Sequence, residues 1–119
     1  MAKRIENITL TLNNGKEAEF EIYIDLRSMT KFEQDYFDLY KKESSFMTEV
    51  DKITKTQSMT GIALLVGATL HKPNQKYPVG VEFVMDHVDI MQDIQVIMDA
   101  VGKCMMDLQP RTEQPKAKK

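Results

Sequence analysis

Tryptophan is absent, and cysteine occurs once in 119 residues. A lone thiol excludes an internal disulfide and a cysteine-paired zinc site, and it fits a reducing compartment. Four prolines and five glycines are too few for a Pro/Gly-rich unstructured chain. Neither sign of charge dominates. Lys+Arg 16 against Asp+Glu 18 leaves a formal charge of -2, which gives no broad pull toward nucleic acid. The longest apolar run, Gly61 to Leu70, falls short of the roughly 20 residues that cross a bilayer. Lys3 and Arg4 lead into the alternating Ile8-Thr9-Leu10-Thr11, not into the apolar core of a secretion signal. The expected location is the cytoplasm, with no membrane contact.

Methionine is what the chain has in excess, at nine. Its unbranched, polarizable side chain fills irregular gaps and adapts to varied apolar partners. A length of 119 residues supports one domain. The expected division is a single α+β domain over 1-109 and a disordered basic tail over 110-119, whose largest apolar side chain is alanine.

Period-two alternation marks two strands: Ile8, Leu10 and Leu12, then Ala18, Phe20, Ile22 and Ile24. Asn13-Asn14-Gly15 lies between them as a turn. A two-residue turn would set Leu12 opposite Glu17 and bury glutamates. A three-residue loop with Gly15 in the left-handed region sets Leu10 opposite Ala18 and Ile8 opposite Phe20, and is preferred. A hairpin alone is marginal in water, so its apolar face needs a lid.

About four helices are expected beneath it. The first runs from about Ser28 to Lys42, capped by Ser28 or Thr30, with Thr30 and Glu33 at capping-box spacing. Its stripe of Met29, Phe32, Tyr36, Leu39 and Tyr40 is the expected lid. Residues 41–57 read as a loop with at most a turn of helix, because serine and threonine are frequent there. A second helix spans about Met59 to His71, with Ser58 as cap and Ala63 and Gly67 permitting close approach of a neighbour. Val81 to His87 reads as a short helix. Asp89, with Gln92 at the reciprocal position, caps a longer one carrying Ile90, Ile94, Ile97, Val101, Cys104 or Met105, and Leu108.

No catalytic constellation emerges. Gly-x-Ser-x-Gly, His-Glu-x-x-His and a phosphate-binding glycine loop are all missing. Cys104 falls on an apolar helix face, where a buried structural thiol is expected rather than a nucleophile. Glu82, Asp86, Asp89 and Asp93, with His87 beside them, would line up on one continuous helix as a metal site. A helix break near Asp89 would scatter them, and a solvated acidic face is the expected outcome. His71 is expected to make a C-terminal dipole contact. The tail carries Arg111, Lys116, Lys118 and Lys119 against Glu113, a weak signal for nucleic acid. No cofactor, metal or catalytic residue is therefore expected. The surface remains: from Glu82 to Leu108, six acids face Lys103 alone beside a methionine-bearing stripe. Candidate partner-binding residues are Phe37, Met91, Met98 and Met105, exposed in the monomer or paired between subunits. An open hairpin edge would suit a two-fold dimer or a ring.

The element order carries a resemblance. The hairpin leads into Ile24-Asp25-Leu26-Arg27-Ser28-Met29-Thr30-Lys31-Phe32-Glu33. An apolar helix ends in Leu70-His71-Lys72-Pro73, and a turn at Pro78 leads to paired C-terminal helices and a charged, proline-containing tail. Over roughly residues 5 to 108 this resembles the tail assembly chaperones of long-tailed bacteriophages and prophages. The resemblance implies a small α+β protein without enzymatic activity in the bacterial host cytoplasm. It would coat the largely helical tape-measure protein, keeping it soluble while tail-tube subunits polymerise, with the tail-tube protein a further possible contact. It also implies self-association, and in many members a frameshifted longer form, with which Lys118-Lys119 is compatible. The alternative is a small adaptor or regulator whose basic tail touches nucleic acid.

Overall fold

Alternation of apolar and polar residues produces β1 (Glu6–Thr11) and β2 (Glu17–Ile22), antiparallel. They are part of a computed structural model that describes residues 4–108. The basic tail expected over 110-119 lies outside the described residues. The register is the expected one, Leu10 opposite Ala18 and Ile8 opposite Phe20. Gly15 takes φ +85°, and Leu12 N donates to Lys16 O at 2.8 Å to close the loop. This places Leu10, Phe20 and Ile22 in the core and leaves Glu17 and Glu19 in water.

Five helices follow among the described residues. The first, α1 (Leu26–Tyr40), starts earlier than serine and threonine spacing predicts. Asp25 is the N-cap: its carboxylate accepts from Ser28 N at 3.0 Å, and Ser28 Oγ accepts from Asp25 N at 3.2 Å. Thr30 and Glu33, the expected box, do other work. Thr30 Oγ1 donates to Leu26 O at 2.6 Å, and the Glu33 carboxylate accepts from Phe46 N at 3.0 Å.

That second bond starts a helix where a loop is expected. Ser45 caps α2 (Phe46–Thr56), which buries Phe46, Val50 and Ile53 along one face. Packing of that face outweighs the weak helix propensity of its threonines. Phe46 meets Phe32 of α1 edge-on, with ring centroids 5.4 Å apart.

Next, α3 (Met59–Thr69) is capped by Ser58, whose hydroxyl accepts from Gly61 N at 3.2 Å, as expected. Every residue from Gly61 to Thr69 is buried, so α3 is the central element, touched by all four other helices. Its end turns into β3 (Leu70–His71), a strand not expected, giving a sheet of order β1-β2-β3. His71 is therefore not at a helix terminus. It is buried, its ring stacked on Tyr23 at 3.6 Å and its Nδ1 2.8 Å from Thr69 O.

The chain then forms α4 (Val81–His87), at the expected bounds, and α5 (Ile90–Met106). Gly67 admits the start of α4: a Cβ there would lie 2.4 Å from Gly80 C. The lid on the hairpin is α5, not α1. Ile97, Val101 and Cys104 are buried as α5 lies on β1 and β2, while α1 packs on α3 and α2. Asp89 occupies the N-cap position of α5 without a side-chain capping bond, so the expected pairing with Gln92 is not made. Its backbone N donates instead to Thr11 O at 3.0 Å.

Candidate functional site

Three methionines from three helices meet at one groove of about 350 Å³. Met59 opens α3, Met85 stands on the outer face of α4, and Met91 lies in the first turn of α5. They are 46%, 47% and 65% exposed, unusual for side chains this apolar. Ala63, Val84, Val88 and Ile90 form the buried floor between them.

Each position follows from local structure. The Ser58 cap fixes where α3 begins, which leaves Met59 at the surface and Ala63 one turn further in. Val88 and Asp89 link α4 to α5 in non-helical conformations, so α5 departs in a new direction and Met91 returns toward Met85. The loop of the hairpin braces this corner: Asn13 N donates to His87 O at 2.8 Å, and Asn13 Nδ2 to Asp86 O at 3.0 Å.

The groove is apolar within and acidic beside. Asp89 lines it, Glu82 and Asp86 are exposed with Met85 on α4, and no lysine or arginine occurs between Gly80 and Gly102. The four carboxylates considered for a metal do not converge. Asp93 turns away and accepts from Thr11 N at 2.7 Å. No group of three or more His, Cys, Asp or Glu suited to a metal ion occurs among the described residues.

The candidate partner residues fall in different places. Met91 is on the groove rim. Phe37 is 45% exposed on the last turns of α1, beside exposed Leu39 and Tyr40. Met98 and Met105 are half-buried against the core. Met59 and Met85 were not singled out by the sequence pattern, because the groove joins residues 26 and 6 apart on separate helices. Only the excess of methionine pointed to them.

The one thiol is held away from the groove. Cys104 is buried, with Sγ 3.5 Å from Ile22 O, and burial pushes its thiol up to about 11. A second cleft, about 760 Å³, runs between the start of α1 and Tyr77-Pro78. Its charged lining is engaged: Asp25 caps α1, Lys31 pairs with Asp35 at 3.1 Å, and Arg27 lies over the Tyr77 ring at 5.0 Å. Among the described residues no helix is long and apolar enough to cross a membrane. Comparison with protein-family models, with curated proteins and with solved structures returns no match.

Proposed function

We propose that this is a non-catalytic polypeptide-binding protein: a phage tail assembly chaperone that keeps the tape-measure protein soluble in the host cytoplasm while the tail tube forms. The observation that carries the reading is the methionine-rimmed groove, with Met59, Met85 and Met91 exposed around an apolar floor. A helical client would lay its apolar face into such a groove. Thioether side chains reshape at low cost, so one site accepts many client sequences, as a long tape-measure helix demands. The flanking acids Glu82, Asp86 and Asp89 favour client helices with basic residues beside the apolar face, and they keep the groove itself in water. The resemblance in element order supports the same reading, and the committed state of Cys104, Asp25 and Lys31 supports a role without bond chemistry.

Co-expression tests it. The tape-measure protein of a long-tailed phage is produced with the wild type or with the double variant Met85→Asp, Met91→Asp. Soluble client with the wild type and insoluble client with the variant is the expected result. A client equally soluble with both, or insoluble with both, would overturn the reading.

A further inference from the structure

The groove gathers methionine sulfur at the surface and keeps it out of the interior. Among the described residues no methionine belongs to the fully buried core, and the groove floor of Ala63, Val84, Val88 and Ile90 carries no sulfur. Met59, Met85 and Met91 on the rim are open to water. Met98 and Met105 are half-buried against the core. Two other exposed methionines, Met47 at 58% and Met106 at 72%, lie outside the groove lining. Oxidation of a thioether follows its exposure. A dissolved oxidant therefore reaches the rim before Met98 and Met105, and it meets no core methionine whose change would disturb the fold.

The surroundings of the rim make that reaction consequential. A thioether is apolar and pliable, whereas a sulfoxide is polar and presents an oxygen that accepts hydrogen bonds. The neighbouring charges are acceptors too: Asp89 lines the groove, and Glu82 and Asp86 are exposed with Met85 on α4. No lysine or arginine occurs between Gly80 and Gly102. Thr60 and Asn13 are the side-chain donors in the lining, and Asn13 Nδ2 already donates to Asp86 O at 3.0 Å. Sulfoxide oxygens on this rim thus depend on water for partners. A helix laid over them strips that water away and leaves buried acceptors unsatisfied.

Resting on the groove as the client site, we propose that Met59, Met85 and Met91 are modification sites whose oxidation by a peroxide releases the client. A sulfur lone pair attacks one oxygen of hydrogen peroxide, the O–O bond breaks and an S–O bond forms. The sulfur gives up two electrons. The departing hydroxide takes the proton of the transferred oxygen and leaves as water. Reversal draws two electrons and two protons from a dithiol through the two epimer-specific classes of methionine sulfoxide reductase; the dithiol ends as a disulfide and the oxygen as water. The floor and the core lack methionine, so binding is lost while the fold stays.

A synthetic amphipathic helix of leucine and lysine, followed by fluorescence anisotropy, tests this on the full chain before and after hydrogen peroxide. The reduced wild type is expected to bind the helix. With sulfoxide mapped by mass spectrometry at Met59, Met85 and Met91, binding is expected to weaken by about tenfold or more, with an unchanged circular dichroism spectrum. Both reductases with dithiothreitol are expected to restore it. The triple variant Met59→Leu, Met85→Leu, Met91→Leu is expected to bind with or without peroxide, although Met47 and Met106 still oxidise. Undiminished binding by an oxidised rim would overturn the proposal and leave the groove reading standing. So would equal loss in the treated triple variant, unfolding of the oxidised wild type, or a rim that stays reduced while Met47 and Met106 react. Failure of the reductases to restore binding overturns it whether or not the leucine variant binds. A reduced chain that ignores the helix, or binds it equally well as Met85→Asp, Met91→Asp, overturns the groove reading itself and this inference with it.

Discussion

The amide of Thr11 donates to the Asp93 carboxylate at 2.7 Å, tying the end of β1 to the first turns of α5 across 82 residues of chain. Asp93 departs from helical geometry to do so, with φ -119° and ψ 20° inside α5. The irregular helix residue lies where its carboxylate meets an edge-strand N–H.

Replacing Asp93 with alanine leaves that half-buried N–H without a partner, and the expected loss is about 1–3 kcal/mol. Asp93→Asn keeps an accepting oxygen and should lose less. Urea unfolding followed by circular dichroism separates the two. Equal losses would show that the bond itself contributes little and that the kink is set by packing.

Asp35 performs a similar task deeper in the protein. Its buried carboxylate accepts from Val81 N at 3.0 Å, at the start of α4, and pairs with Lys31 at 3.1 Å. Gly80, the N-cap residue of α4, has no side chain to offer, so α1 supplies the cap from across the core. Asp35→Ala leaves a buried donor unpaired, and a loss of about 3 kcal/mol is expected. Lys31→Met, which keeps the cap and removes only a partly exposed partner, should cost well under half of that. Denaturant midpoints of the two variants decide the order.

Gly67 and Gly61 look alike in sequence and differ in surroundings. A methyl at Gly67 would lie 2.4 Å from Gly80 C and 2.5 Å from Val81 N, both backbone atoms that cannot step aside. A methyl at Gly61 meets Ile53 Cγ1 at 2.6 Å, a buried side chain that can give way only by repacking α2 against α3. Gly67→Ala is expected to cost about 3 kcal/mol or to prevent folding, and Gly61→Ala about 1–2 kcal/mol, since alanine's preference for the helix offsets part of the overpacking. Thermal melts of both variants test the contrast, and a reversed order would mean that α4 moves away from α3 easily.

The hairpin's register was legible because alternation, a turn and the exclusion of buried glutamates all act locally, though the strands span Glu6–Thr11 and Glu17–Ile22 and not Ile8 to Leu12 and Ala18 to Ile24. The short helix Val81–His87 was legible for the same reason. What escaped depends on partners far away in sequence. Residues 46–56 read as a loop because their serines and threonines are weak helix formers; Glu33 and the apolar face of α3 make them a helix. Asp89 and Gln92 fit a capping box by spacing, yet Thr11 claims the Asp89 backbone. The lid was assigned to α1 because its aromatic stripe is strong, and nothing local reveals that α3 intervenes. The groove was half-legible: Met91 came from the stripe, but Met59 and Met85 join it only through the corner between α4 and α5.

The buried thiol of Cys104 gives the last prediction, and its sign follows from burial. A thiol in the unfolded chain ionises near 9, whereas in the fold it is pushed up to about 11, chiefly by burial and then by the Glu6 charge. Below pH 9 the group is protonated in both states, so its full contribution to stability is present. As pH rises toward 11 the unfolded chain releases the proton first, and the equilibrium shifts toward unfolding. Wild-type stability should therefore fall between these limits more steeply than that of Cys104→Ala, whatever the cavity in that variant costs at neutral pH. The urea midpoint of each, measured at steps from pH 8 to 11, gives the slopes directly. The same burial makes native Cys104 slow to alkylate at pH 8 and fast once urea opens the chain. Parallel slopes, together with rapid alkylation of the folded protein, would mean that α5 lifts from β2 readily and exposes the thiol to water.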